Sequence, residues 1–129
     1  MKKTFTKEER LCSKRKIDSL FHSGSSFIIY PFRVVYLKEQ SPDCTFSVKV
    51  IISVSKRRFR RAHDRNRIKR LMREVYRLQK NELLYQEVAK SSLNLSLAIQ
   101  FVGKEETSFE LMYQKMSKVL KQLADAISN

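Results

Sequence analysis

Phe46-Ser47-Val48-Lys49-Val50-Ile51-Ile52-Ser53-Val54-Ser55 and, ten residues on, Arg65-Asn66-Arg67-Ile68-Lys69-Arg70-Leu71-Met72-Arg73-Glu74 decide the fold of this chain. In the first stretch Phe46, Val48, Val50, Ile52 and Val54 alternate with Ser47, Lys49, Ile51, Ser53 and Ser55. Strand side chains point to opposite faces in turn, so the alternation predicts a strand with one face in a core. In the second, Ile68, Leu71 and Met72, continued by Val75 and Leu78, gather on one side at about 100° per residue. Arg65, Lys69, Arg70, Arg73, Arg77 and Lys80 cover the opposite half. A strand therefore leads into a long helix, from Arg65 to about Tyr85, which docks its apolar stripe on the sheet and presents cations outward. Asp64, just before it, is positioned to cap its N-terminus.

The flanking segments complete the plan. The first 16 residues hold seven Lys or Arg (Lys2, Lys3, Lys7, Arg10, Lys14, Arg15, Lys16) against Glu8 and Glu9, and read as a basic arm. Ile17, Leu20 and Phe21 share a helical face, and Gly24 stands where a left-handed residue can end that helix. After a turn at Ser23 to Ser26, Phe27 to Leu37 reads as one strand, with Phe32, Val34 and Tyr36 alternating against Arg33, Val35 and Leu37; Pro31 marks an edge or a bend. Ser41-Pro42-Asp43 is a turn, and the two strands it joins are predicted to pair antiparallel. Leu95, Leu97, Ile99 and Phe101 form a further alternating strand, closed by Gly103. Thr107-x-x-Glu110 is a capping-box pattern, opening a helix whose Phe109, Met112, Tyr113, Met116, Val119, Leu120 and Leu123 keep core spacing. The sum is one small α+β domain over residues 1–129, a mixed sheet with helices mainly on one side.

Composition narrows the function. There are 27 Lys and Arg against 13 Asp and Glu, a formal +14, in a chain that is 42% hydrophobic with 8 Phe and 5 Tyr. Such a chain can build a core, and its excess charge concentrates polyanions around it, nucleic acid before anionic membrane. No run approaches the roughly 18 apolar residues that span a bilayer, and the basic start lacks an apolar signal core, so a cytoplasmic protein is expected. Cys12 and Cys44 stand far apart, with only His22 and His63 to help them, which disfavours zinc. Two glycines leave no phosphate-cradling loop.

The positive charge is local. Lys56 to Lys80 carries twelve Lys or Arg and two acids, Asp64 and Glu74, ten of the fourteen net charges. Arg65, Lys69, Arg73 and Arg77 repeat like charge at i, i+4, each pair unfavourable by about 0.2–0.5 kcal/mol. A helix made only to be soluble would mix signs; this one points to a polyanion that relieves the repulsion. Arginine forks match phosphate oxygens with paired hydrogen bonds. The preceding loop adds Lys56, Arg57, Arg58, Arg60 and Arg61, where Phe59 either anchors the loop in the core or stacks on a base. His63 is either structural or a loose RNA contact.

Ser53-Val54-Ser55-Lys56, followed by Arg65-Asn66-Arg67-Ile68-Lys69-Arg70-Leu71-Met72-Arg73-Glu74, resembles the signature of the protein subunit of bacterial ribonuclease P. The likeness extends over nearly the whole chain, from Arg10-Leu11 and Leu20-Phe21-His22-Ser23-Gly24 to the late strand and closing helix. It implies the order α-β-β-β-α-β-α, a four-stranded mixed sheet and a left-handed β-α-β crossover around the Arg-Asn-Arg helix. It also implies a ribonucleoprotein that removes the 5′ leader of precursor tRNA by endonucleolytic cleavage. The RNA subunit would hold the catalytic Mg²⁺, and the protein would have no catalytic residues and no cofactor site of its own. The partners implied are the catalytic RNA subunit and precursor tRNA, with no membrane and no small-molecule substrate.

Position by position, the resemblance assigns RNA contact to Arg65, Asn66, Arg67, Lys69, Arg70 and Arg73. It implies a leader-binding cleft between sheet and N-terminal helix, for which Phe21, Phe32, Tyr36 and Ser53 are candidates; core packing is the alternative for Phe21 and Phe32. Two departures stand out: Arg58-Phe59-Arg60-Arg61-Ala62 lacks the family's loop glycine and is one residue longer, and Ile17 replaces an aromatic ring. The rival readings are a basic ribosomal or other structural RNA-binding protein, a stand-alone nuclease and a DNA-binding regulator. The Arg-Asn-Arg spacing disfavours the first, and the lack of a carboxylate cluster or paired nucleophile disfavours the second.

Overall fold

Leu95, Leu97, Ile99 and Phe101 on one face of the last strand, and Ser96 and Ala98 on the other, are all buried. A strand covered on both faces belongs in the middle of a sheet. A computed structural model, describing residues 9–40, 47–91 and 93–128, has that arrangement. In chain order it contains α1 (Lys14–Ser23), β1 (Ser25–Ile29), β2 (Phe32–Gln40), β3 (Ser47–Val54), α2 (Ala62–Lys80), a π-helical stretch (Asn81–Tyr85), α3 (Gln86–Ser91), β4 (Leu93–Phe101) and α4 (Phe109–Ser128). The strand order is β1-β2-β4-β3. β1 and β2 pair antiparallel, as do β2 and β4, whereas β3 lies parallel to β4 with Val48 opposite Leu95 and Val54 opposite Phe101.

Two strand expectations are corrected here. The segment from Phe27 to Leu37 is two strands, broken at the cis Tyr30–Pro31 peptide, and Ser25 and Ser26 lie in β1 instead of a turn. β2 and β3 do not pair, because β4, apolar enough for burial on both sides, inserts between them. The parallel β3–β4 pair in turn requires a long crossover, which α2 and α3 supply. Phe46, Cys44 and the turn at Ser41-Pro42-Asp43 lie outside the described residues.

Alternation divides the sheet into two faces. Phe32 and Val34 of β2, Val48, Val50 and Val54 of β3 and the apolar row of β4 pack against Ile68, Met72, Val75 and Tyr76 of α2 and Met112, Met116, Val119, Leu120 and Leu123 of α4. Truncating a buried Leu, Ile or Met of this set to Ala costs about 2–5 kcal/mol. The opposite face holds a smaller cluster, Leu11, Leu20, Val35 and Ala98, flanked by Ile17, Leu37 and Ile51. Among the described residues, α1 and the segment before it pack on that face. No helix among the described residues is long and apolar enough to cross a membrane.

The helix ends differ in detail from expectation. Gly24 is extended, with φ −75°, so no left-handed residue ends α1; a Cβ there would lie 2.4 Å from the Leu20 carbonyl oxygen. α4 starts one residue late for a Thr107 capping box: the Leu111 amide donates to Ser108 Oγ at 3.3 Å. Phe109 and Tyr113 stay 39% exposed and pack on each other, ring centroids 6.0 Å apart, instead of entering the core.

Candidate nucleic-acid interface

α2 is held from beneath by its buried stripe, Ile68, Met72, Val75, Tyr76 and Gln79. That stripe leaves Asn66, Arg67, Arg70 and Arg73 exposed and Arg65, Lys69 and Arg77 half-buried. At about 100° per residue Asn66, Arg70, Arg73 and Arg77 fall within a band of roughly 60°. Over about 1.5 Å per residue they form a row about 16 Å long. Arg77 is held by Glu74, Nη2 to Oε1 at 2.5 Å and Nε to Oε2 at 3.2 Å. That hydrogen bond keeps the Glu74 carboxyl below its ordinary range and raises Arg77.

The start of the helix differs from the sequence reading. Arg61, not Asp64, occupies the N-cap position, and it makes no side-chain cap. Asp64 lies in the first turn, where it accepts from Arg67 Nη2 at 2.8 Å. His63 is an exposed neighbour, 3.8 Å from the same carboxylate.

The basic loop before α2 is tied down. Phe59 packs on Phe101 with centroids 5.9 Å apart, so the ring is an anchor. Arg65 Nη1 donates to the carbonyl oxygens of Phe59 at 2.9 Å and Arg60 at 2.8 Å. The Arg58 guanidinium bonds the Val102 carbonyl. The sequence reading missed that Arg65 organises this loop as well as facing it. Lys56, Arg57, Arg58, Arg60 and Arg61 are all exposed.

Lys80 overturns part of the helical wheel. Its side chain is 1% exposed, ion-paired with Glu9, with Nζ 5.3 Å from the centre of the Tyr85 ring. The Tyr85 hydroxyl also bonds Glu9 and lies 3.0 Å from the Tyr76 hydroxyl. Burial pushes both phenols well above their ordinary pKa. The cluster fixes the segment before α1, whose Leu11 amide donates to the Val50 carbonyl at 2.9 Å along the outer edge of β3. Arg10, Leu11 and Cys12 thereby line a groove with Ile51, Ile52 and Arg73, so the cationic row reaches round the sheet edge towards the α1 face.

The four proposed cleft residues are not brought together. Phe21 is 46% exposed on α1, and Ser53, half-buried, shares the α1 side of the sheet with Ile51. Phe32 and Tyr36 point the other way: Phe32 is fully buried edge-on against Phe101 at 6.3 Å, and Tyr36 packs on Phe27 at 6.1 Å in the α2/α4 core. The odd-numbered residues of β2 face α1, so that face also carries Arg33, whose Nη1 donates to its neighbour Gln100 Oε1 at 3.4 Å. Arg33, the lone charge in an apolar alternation, was the available signal. Among the described residues no three His, Cys, Asp or Glu come close enough to hold a metal.

The sequence profile of ribonuclease P matches residues 5–124. This chain belongs to the ribonuclease P protein family. It is 38% identical over 119 residues to the ribonuclease P protein component of Porphyromonas gingivalis strain ATCC 33277, covering 92% of this chain and 85% of that one. It is 36% identical over 129 residues to the component of Chlorobium phaeobacteroides, covering 91% and 86%. The fold is similar to the Thermotoga maritima RNase P protein, with TM-score 0.66, 22% identity and 88% and 96% of the two chains covered. The Staphylococcus aureus RNase P protein superposes with TM-score 0.64 at 21% identity, over 95% and 100%. Ribonuclease P is a ribonucleoprotein endoribonuclease of tRNA processing, and members of this family are its protein subunit.

Proposed function

We propose that this chain, as a single RNA-binding domain, clasps the catalytic RNA of ribonuclease P with α2 and the loop before it, and steadies the 5′ leader of precursor tRNA on the α1 side of the sheet. The observation that carries this reading is the row Asn66, Arg70 and Arg73 with the neighbouring Arg67, exposed on a helix whose other side is locked into the core. Phosphates would neutralise the i, i+4 repulsion along that row and release condensed counterions. Lys56, Arg57, Arg60 and Arg61 extend the contact, with Arg58 and Arg65 shaping the loop and Lys69 flanking the row. Exposed Phe21, with Ser53, offers unpaired bases a ring and a hydroxyl. Phe32 and Tyr36 support that surface from beneath.

The chemistry belongs to the RNA. Mg²⁺ ions held by RNA phosphates would activate water and stabilise the leaving oxygen, while the protein lowers the repulsion between two polyanions so that less Mg²⁺ is needed. The working compartment is the cytoplasm, with precursor tRNA. Reconstitution tests this: cleavage of precursor tRNA by a bacterial ribonuclease P RNA at limiting Mg²⁺ should rise strongly on adding the chain, and the chain alone should cut nothing. Cleavage by protein alone, or no effect on the RNA, would refute the reading.

A further inference from the structure

The second arginine of the Arg-Asn-Arg motif is already occupied. Arg67 Nε donates to Glu106 Oε1 at 2.7 Å, and its Nη2 donates to Glu106 Oε2 at 3.2 Å and to Asp64 Oδ1 at 2.8 Å. Glu106 comes from the loop between β4 and α4, 39 residues away in sequence. Its two oxygens meet the guanidinium edge as a fork, the geometry in which an arginine takes a phosphate. Arg67, Glu106 and Asp64 are 49%, 43% and 32% exposed, so solvent and a competing anion can reach the bridge. Glu106 itself lies on the surface, outside the buried core.

We infer that Glu106 tunes the affinity of this surface for RNA, a carboxylate that stands in for phosphate on Arg67 and must be displaced before that arginine engages RNA. This rests on the RNA-clasping role of α2 proposed above. The consequence is that Arg67 contributes little attraction to a passing polyanion. It contributes only to an RNA whose phosphate displaces the carboxylate, and then less the cost of breaking the bridge. The bridge is weak enough for this, since exposed ion pairs are broken readily by a better partner. The choice of a displaced carboxylate over a retained one follows from the fork, because Nε and Nη2 cannot hold Glu106 and a phosphate edge-on together.

The test is a double-mutant cycle on the full chain. Binding of a bacterial ribonuclease P RNA and of a non-cognate single-stranded oligouridylate is measured at fixed salt for wild type, Glu106→Gln, Arg67→Ala and the pair. Glu105→Gln is the control, removing the same charge from the exposed adjacent residue, for which no bond to Arg67 is found. Glu106→Gln should tighten both RNAs by about threefold, the order of a broken exposed ion pair. Glu105→Gln should do clearly less, and the gain should vanish in the Arg67→Ala background. Equal gains for both glutamines, or a gain that persists without Arg67, would mean simple long-range charge and overturn the inference. So would weaker binding by Glu106→Gln, which would make Glu106 a retained support. If the wild type itself fails to bind the ribonuclease P RNA, the clasping role fails and takes the inference with it; normal wild-type binding confines any failure to Glu106.

Discussion

Replacing Glu9 by Ala should unsettle this fold far more than replacing any exposed carboxylate, and the size follows from where Lys80 sits. The Lys80 side chain is 1% exposed and that of Glu9 15%. The Glu9 carboxylate accepts from both Lys80 and the Tyr85 hydroxyl, and the phenols of Tyr85 and Tyr76 are 3.0 Å apart. Glu9→Ala leaves the ammonium inside without its counter-ion, a loss of about 3–5 kcal/mol for one partner of a buried pair. Domains of this size are stable by only about 5–15 kcal/mol, so the melting midpoint should fall by roughly 10–20 °C. Lys80→Met in the Glu9→Ala background removes the stranded charge and should recover much of that loss. Urea and thermal melts followed by circular dichroism at neutral pH measure all four variants. Glu9→Ala within about 1 kcal/mol of wild type, or a double variant no better than the sum of its singles, would refute the buried clamp. Because Glu9 leads into Arg10 and Cys12, the same variant should also loosen the groove beside Arg73.

Arg70→Ala and Arg73→Ala should each reduce the slope of log affinity against log salt by nearly one unit while leaving the melting midpoint almost unchanged; an unaltered slope would remove that residue from the contact. Phe32→Ala should cost about 3–5 kcal/mol of stability. Phe21→Ala should be near neutral for stability and should weaken leader-bearing precursor more than mature tRNA; equal weakening of both would exclude it from the leader path. Above pH about 10 an unfolded chain ionises its tyrosines, whereas buried Tyr76 and Tyr85 keep their protons. Stability is therefore complete below that pH and falls as pH rises, by up to about 1.4 kcal/mol per unit for each phenol. Absorbance titration should find two of the 5 Tyr silent until the protein unfolds, and full ionisation in the folded state would contradict their burial. Arg65→Ala should speed amide exchange at Phe59, which bonds Ser55 across the loop at 3.1 Å, with little change in global stability; unchanged exchange would deny Arg65 its organising role.

The elements that rest on local pattern were legible. β3 shows because Val48, Val50 and Val54 are its buried set, and α2 because Ile68, Met72 and Val75 recur at helical spacing. What escaped was set by distant partners. Lys80 belongs to the cationic half of the wheel by angle, and its ion pair is with Glu9, 71 residues earlier. The bridge from Arg67 to Glu106 is equally invisible to periodicity. β2 carries apolar residues in both alternating sets, with Arg33 the one cue that its set faces α1, and Phe32 and Tyr36 face the α2/α4 core instead. The pairing of β2 with β3 failed for a related reason: adjacency in sequence suggested a hairpin, while small Ser96 and Ala98 let β4 be covered on both faces and take the centre. The family resemblance supplied the third strand before α2 that a continuous aromatic run had concealed.

The central claim is that the exposed side of α2 meets the catalytic RNA, and a tethered cleavage reagent tests it most directly. In a chain with Cys12 and Cys44 changed to Ser, an iron chelate attached at Arg70→Cys should cut the ribonuclease P RNA at a few discrete sites in the assembled complex. The same chelate at Ile28→Cys, 65% exposed on the edge strand β1, should leave those sites intact. Discrete cutting from position 28 with none from position 70 would contradict the assignment.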